Sequence, residues 1–399
     1  MKRLLLISYV FPPEPSPGAL RPGYLARYLQ QYGWDVTVLT HSMQTPPFEA
    51  RVVPVPSLGG ETLERLPFRL RDRFLVPDVI LPWMPRAVAA GHTLLRGQSF
   101  HAILSTALPA SVHLVGAALA KRSGVPWIAD YRDPWSGNVY ARRGPVRRAF
   151  ERALERRLLT RAAAVTTISE PIAAQLHAVH GRRAIDVVPN AYDPVEWNAI
   201  PHAQPSRFDL CYTGSMYDGK RSPDLLFEAI SQLRKECDAA GNAARVHFFG
   251  PNSEGVAGGA ARFGLTLAVR QHGVVPREAA MQAQRTSAAL LLFLNMDERT
   301  ASEMGSKYLE YVGAGRPIIA FGPRESVMRE FIRRNRLGWF ASDVDEAKNA
   351  LRAAHARFAE QQFDVRPAPG AVPTARELAG RFATILEKAS TARPARSIA

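Results

Sequence analysis

The chain has 399 residues, 46% of them hydrophobic and 22% charged, an ordinary globular composition that excludes a disordered or collagen-like protein. At roughly 100–200 residues per domain two domains are expected, and two cysteines, Cys211 and Cys237, exclude a disulfide framework and point to a reducing, cytoplasmic compartment. The net charge of +15 is concentrated: within 142–161 eight arginines stand against Glu151 and Glu155.

The apolar run 3–9 reads as a strand buried on both faces. It resembles a signal peptide only until Phe11-Pro12-Pro13, where no small-residue cleavage site follows. A Pro/Gly loop spans 11–21, then a helix with Pro22 near its first turn and Gly33 as its stop. With a strand at 35–40 this completes a βαβ unit. Further elements are a strand at 102–105, a helix at 110–123 and a strand at 127–130. A strand at 163–168 precedes a helix that Ser169 is placed to cap, and 185–188 is a short strand. The proline-bearing stretch 193–207 reads as a linker, after which the pattern restarts. Strand 208–212, a glycine loop and helix 223–237 are followed by strands at 245–249, 288–293 and 317–320. The proline-rich 363–373 is loop-like, and 374–388 is a last amphipathic helix. No apolar run approaches the roughly 20 residues of a membrane span.

The predicted fold is α/β with two Rossmann-like, doubly wound domains: 1–192, a linker at 193–207, and 208–372. Ligands of such sheets sit at the carboxyl ends of the strands, so the site is expected in the cleft between domains.

The first loop, 12–19, contains Gly18, where backbone amides at a helix N-terminus can approach an anion. It lacks GxGxxG, which argues against a dinucleotide site. The second loop runs from Gly214-Ser215 to Gly219-Lys220-Arg221, one residue short of a P-loop. Arg221 stands where a Ser or Thr would hold Mg²⁺, so a metal-free diphosphate clamp fits better than an ATPase; a solvated loop fits as well. The third group is Glu303, Ser306, Lys307 and Glu310. Lys307 and Glu310 share a helical face, either as a surface ion pair or with the carboxylate free to chelate ribose hydroxyls. Asp130-Tyr131-Arg132-Asp133 ends a strand, a position for a site or for a structural Asp–Arg pair. Asp343-Val344-Asp345 has the form of a metal-binding DxD, but suits a helix N-cap. No HExxH or GxSxG occurs.

Together these motifs resemble the family-four glycosyltransferases of the GT-B fold, over about residues 2–390. The resemblance rests on Gly33-Trp34-Asp35-Val36-Thr37-Val38-Leu39-Thr40 and on Val188-Pro189-Asn190-Ala191-Tyr192-Asp193. The most specific match is Ser306-Lys307 with Glu310-Tyr311 and Gly313-Ala314-Gly315-Arg316-Pro317. The chain departs from the family pattern where Ser302 replaces the first of two glutamates, Ser215 replaces an arginine, and Arg132-Asp133 replaces a histidine. Members with an Arg-Asp-Pro-Trp segment resemble enzymes of surface-polysaccharide assembly.

The resemblance implies a nucleotide-diphospho-sugar donor, a retaining transfer, no cofactor and no obligatory metal, and a lipid-linked or polysaccharide acceptor. It also implies a C-terminal helix, 373–390, crossing back to the first domain before a tail at 391–399. Gly250 and Val275 would lie around the base, and Glu310, with Glu303 and Ser306 nearby, would take the ribose. Lys220, Arg221 and Lys307 would face the phosphates, beside Gly214 and Ser215 and with Gly18 approaching from the first domain. Arg132 and Asp133 would be catalytic, next to the reacting sugar. The alternative is a GT-B-like protein without catalysis that binds membrane or nucleic acid.

Arg147, Arg148, Arg152 and Arg156 are expected to dock the protein on an anionic membrane surface. On that helix Val146, Phe150, Leu154 and Leu158 form a stripe that faces either lipid or core. A second patch, 65–74, mixes arginines with Leu and Phe. Nucleic acid is not expected, since no RNA-binding signature with interleaved aromatics is present.

Overall fold

The computed structural model describes residues 1–14, 16–59, 67–107, 109–138, 143–181, 184–216, 220–298, 304–368 and 370–391, the side chains of Phe68, Arg69 and Arg73 excepted. The chain divides into two compact units, one formed by Met1–Ala191 with the segment from Pro373 onward, the other by Tyr192–Val372.

The first unit is built on seven parallel strands: β1 (Lys2–Ile7), β2 (Trp34–Thr40), β3 (Arg51–Pro54), β4 (Ala102–Ala107), β5 (Trp127–Tyr131), β6 (Ala164–Thr167) and β7 (Asp186–Val187). Their order is β3-β2-β1-β4-β5-β6-β7, so the chain starts in the middle and winds outward both ways. The β1 run Leu4–Ile7 is fully buried because helices cover both faces. Leu4 and Leu6 enter one core layer, with Tyr24, Leu25 and Tyr28 of helix Pro17–Tyr28 and Leu378, Phe382 and Leu386 of helix Ala375–Thr391. Leu5 and Ile7 enter the opposite layer, with Val112, Val115 and Leu119 of helix Ser111–Ser123.

The second unit repeats the plan with β8 (Asp209–Thr213), β9 (Arg245–Phe249), β10 (Val269–Gln271), β11 (Ala289–Phe293), β12 (Ile318–Phe321) and β13 (Gly338–Ala341), in the order β10-β9-β8-β11-β12-β13. Leu291 and Phe293 of β11 face one layer, and Leu290 and Leu292 the other.

Several local expectations need correction. The first helix begins at Pro17, within the stretch read as loop, because the Ser16 hydroxyl caps it by accepting the Gly18 amide, and Pro22 lies inside the helix. Ser169 sits at the N-cap of helix Glu170–His180, but its side chain makes no capping bond. The stretch read as linker contains a short helix, Pro194–Asn198, capped by Asp193. The short strands β3, β10 and β13 were not anticipated; their burial patterns are mostly half-exposed, and the apolar signal is correspondingly weak. Asp343 does cap the following helix, accepting the Glu346 amide at 2.9 Å.

Candidate active site

In the second unit the glycine loop leaves the carboxyl end of β8 and meets the start of helix Lys307–Ala314. Gly214 has φ +124°, and a Cβ there would lie 3.4 Å from the Lys307 Cε. Gly250, at the end of β9, has φ +149°, and a Cβ on it would lie 2.2 Å from the Gly214 carbonyl oxygen. Only glycine fits where these two backbones touch. Gly250 also donates its amide to Gly273, which brings the β10 exit carrying Val274 and Val275 alongside. Val275 is half-buried and Val274 exposed.

Glu310 is the hub of this cluster. Lys307 Nζ donates to its Oε2 at 3.0 Å, Gln284 Nε2 donates to the same oxygen at 3.3 Å, and Arg277 Nη1 donates to Oε1 at 3.4 Å. Gln284 also donates to Thr213 Oγ1 at 2.8 Å, tying the hub to β8. Arg277 bonds Glu196 at 2.9 Å as well. Burial opposes the charge on Glu310, but Lys307 and Arg277, with the Lys307 and Gln284 hydrogen bonds, outweigh it and hold the carboxyl below its ordinary value. Tyr311, one position on and fully buried, donates its hydroxyl to the Leu291 carbonyl and fixes the helix against β11.

The remaining donor-side residues divide. Arg221 folds back on its own loop, donating to the Tyr212 hydroxyl at 3.2 Å and the Ser215 carbonyl at 3.3 Å. Lys220 is exposed, and Ser306 is an exposed N-cap residue without a side-chain capping bond. Glu303 lies outside the described residues. Gly18 lies in the first unit, beside Arg132. Its amide is taken by Ser16, which corrects the expectation of an anion-facing N–H there. Its carbonyl accepts from Arg132 Nη1, and an added Cβ would lie 2.9 Å from that nitrogen.

The first unit has its own cluster at the carboxyl end of β5. Arg132 is buried and donates Nε to the Ala107 carbonyl at 2.8 Å. Asp133 is exposed, and no described residue bonds its carboxylate. The protein packed around that carboxyl desolvates it enough to raise its pKa against the pull of Arg132, although part of the residue's surface stays open. Asp130 does not pair with Arg132. It binds Arg21 in a fork, Nε to Oδ2 at 2.9 Å and Nη2 to Oδ1 at 2.8 Å, and accepts from Thr106 and Thr166. Arg21 reaches on to the Pro189 carbonyl. Nothing in the sequence marks Arg21, an arginine on an otherwise ordinary helix, as this partner.

Two family descriptions match the chain: a glycosyl transferase 4-like domain over residues 19–191 and glycosyl transferases group 1 over residues 207–357. The chain belongs to the family-four glycosyltransferases of the GT-B fold. Solved structures share the fold of this glycosyltransferase across nearly its whole length. A sucrose-phosphate synthase from Thermosynechococcus elongatus is 16% identical with a TM-score of 0.59, covering 98% of this chain and 96% of its own. HepE of Anabaena, in complex with UDP-glucose, is 14% identical with a TM-score of 0.58, covering 98% and 97%. WaaG, a glycosyltransferase involved in lipopolysaccharide biosynthesis, is 13% identical with a TM-score of 0.56, covering 97% and 98%. No curated protein matches the sequence.

The arginine-rich helix of this glycosyltransferase, Pro145–Leu159, is oriented otherwise than its hydropathy suggests. Glu151 and Glu155 are buried, Val146 is 83% exposed and Phe150 58% exposed, and only Leu158 and Leu159 of its apolar residues are fully covered. Arg147 therefore does not face outward, a correction to its assignment as a surface residue. It bonds Glu151 at 2.8 Å and donates to the Leu75 and Pro77 carbonyls, at 3.4 and 3.2 Å. Arg148, Arg152 and Arg156 are exposed. No described helix is long and apolar enough to cross a membrane.

Proposed function

We propose that this glycosyltransferase moves a hexosyl or related sugar from a nucleotide-diphospho-sugar donor to a lipid-linked or polysaccharide acceptor in cell-envelope glycan synthesis, with retention and without an obligatory metal. The observation that carries this reading is the Gly214–Lys307–Glu310 cluster. A carboxylate held charged within reach of a helix start and a glycine loop suits a ribose diol, and Lys307 against Gly214 suits the adjoining phosphates. Lys220 supplies a further cation at the loop. Gly250 and Val275 would flank the base. That HepE, of the same fold, was solved with UDP-glucose supports a uridine nucleotide as the first donor to try.

The acceptor belongs to the first unit in this reading, where Arg132 and Asp133 are the candidate catalytic pair. The reaction has to stabilise a departing diphosphate and an oxocarbenium-like sugar; cations serve the first and a carboxylate the second. The enzyme would work in the cytoplasm, peripheral on an anionic membrane face, with Arg148, Arg152 and Arg156 turned to lipid.

A thermal-shift panel of nucleotide sugars tests the donor site. A ligand at a hundredfold excess over its Kd adds about 2.7 kcal/mol and raises Tm. One or more nucleotide-diphospho-sugars should raise Tm for the wild type and fail to do so for Glu310→Ala. Equal shifts in both proteins would refute the assignment.

A further inference from the structure

We infer that Glu155 is a positioning residue for the transfer: its buried carboxylate holds the Ser136 amide and so fixes the loop that carries Arg132 and Asp133, which rests on the reading of those two residues as the catalytic pair. The loop leaves β5 and is fastened at its start by Arg132. The Arg132 amide and Nε both donate to the Ala107 carbonyl, at 3.1 and 2.8 Å, and Nη1 donates to the Gly18 carbonyl. The next fastening comes at Ser136, whose amide donates to Glu155 Oε2 at 3.2 Å. Between the two, the amides of Asp133 and Trp135 bond no described residue, and Pro134 has no N–H to offer. Trp135 is buried in the core of the first unit and adds packing to the hold.

Asp133 depends on such a hold. No described residue bonds its carboxylate, so its place is set by the backbone on either side. Glu155 meets that backbone at both ends. Beyond the Ser136 bond, it lies beside the fully buried hydroxyl of Tyr131, the residue before Arg132. Burial and the Glu155 charge push the Tyr131 pKa well above 10, so the hydroxyl keeps its proton.

The carboxylate is sparsely bonded for its depth. Glu151, one turn earlier on helix Pro145–Leu159, is paired with both Arg143 and Arg147. Glu155 is as buried, but no arginine pairs with it among the described residues. His180 Nε2 stands 3.5 Å from Oε2 without making a hydrogen bond, and Oε1 is buried with no hydrogen-bond partner. Burying a carboxylate in this way costs desolvation free energy that an apolar side chain would avoid. What the carboxylate supplies instead is an acceptor for a loop amide, carried on a helix and placed three residues past Asp133. A reacting group displaced by about 1 Å loses about a hundredfold in rate, so this hold acts on the chemical step.

The test compares Glu155→Met and Glu155→Gln in the full chain. Release of nucleoside diphosphate is followed, together with amide hydrogen exchange resolved to Ser136. Glu155→Met should lower kcat about a hundredfold, leave the donor KM near its wild-type value and speed exchange at Ser136. Glu155→Gln keeps an oxygen acceptor, so it should restore slow exchange at Ser136 and most of kcat. A role in stability alone would lower Tm in the variants and leave kcat of the folded protein unchanged. The inference is overturned by an unchanged kcat in folded Glu155→Met, by a raised donor KM in place of a lowered kcat, or by a Glu155→Gln variant as slow as Glu155→Met. Free exchange of the Ser136 amide in the wild type also overturns it, and this decides the matter if Glu155→Met fails to fold. The exchange measurement needs neither donor nor acceptor. A chain that transfers no sugar but protects Ser136 through Glu155 refutes the transferase reading and leaves the hold on the loop standing. One that transfers sugar at a rate insensitive to Glu155 refutes this inference alone.

Discussion

Asp130 has no solvent exposure, and both of its oxygens are occupied by the Arg21 fork and the Thr106 and Thr166 hydroxyls. Burial pushes its pKa up, but Arg21 and the two hydroxyls outweigh burial and leave it below the ordinary value of 3.8. The stability it contributes is therefore present above that value and lost only as pH falls through the depressed one. Arg21→Ala leaves a buried charge unpaired and should cost about 3–5 kcal/mol in urea unfolding at neutral pH. The gap from wild type should narrow as pH falls through the carboxylate range, because burial alone then favours the protonated form. An unchanged urea midpoint would contradict this. The sequence shows an Asp-Tyr-Arg-Asp cluster at a strand end, and adjacency suggests a pairing with Arg132. The true partner lies 109 positions away, a separation that no local pattern reports. At Glu310 the spacing to Lys307 is legible, whereas Arg277 and Gln284 come from a separate helix and are not. Since its carboxyl is also held below the ordinary 4.5, donor affinity should stay level as pH drops from neutral until below that value. An affinity that falls well above 4.5 would show that another group takes the ribose.

At the scale of elements, the helix Ala375–Thr391 illustrates what periodicity carries. Leu378, Phe382 and Leu386 recur at four-residue intervals and are all fully buried in the first unit. Arg21 stacks over Phe382 at 5.0 Å, so this helix also covers the Asp130 network. Phe382→Ala should cost about 3–5 kcal/mol in chemical unfolding; a cost near zero would mean that the helix is not docked in solution. Helix Pro145–Leu159 shows the opposite case. Hydropathy assigns its glutamates to water and its apolar stripe to a single face, but Arg143 and Arg147 pair with Glu151 inside, and the Ser136 amide donates to one oxygen of the buried Glu155. Long-range hydrogen bonds of this kind reverse a face without changing the helix. The buried strands β1, β5 and β11 were legible because both of their faces are apolar, and the half-exposed β3, β10 and β13 were not.

Over the whole molecule, the restart of the strand, glycine loop and helix pattern at Phe208 reflects a second sheet that repeats the plan of the first. Each sheet presents candidate groups at the carboxyl ends of its strands: Arg132 and Asp133 in one unit, and Gly214, Gly250 and the Glu310 hub in the other. The family and fold follow from this repetition and from the two domain matches. The sugar and the acceptor depend on loop details that similarity of fold leaves open. The central claim is transfer of sugar from a nucleotide-diphospho-sugar. Its most direct measurement is release of nucleoside diphosphate by the purified chain across a panel of donors, beginning with UDP-sugars and with membrane lipid extract as the acceptor source. The account predicts release with at least one donor, lowered at least tenfold in Glu310→Ala and in Asp133→Asn, and a product of unchanged anomeric configuration. No release above background with any donor, or equal release by wild type and both variants, would contradict it.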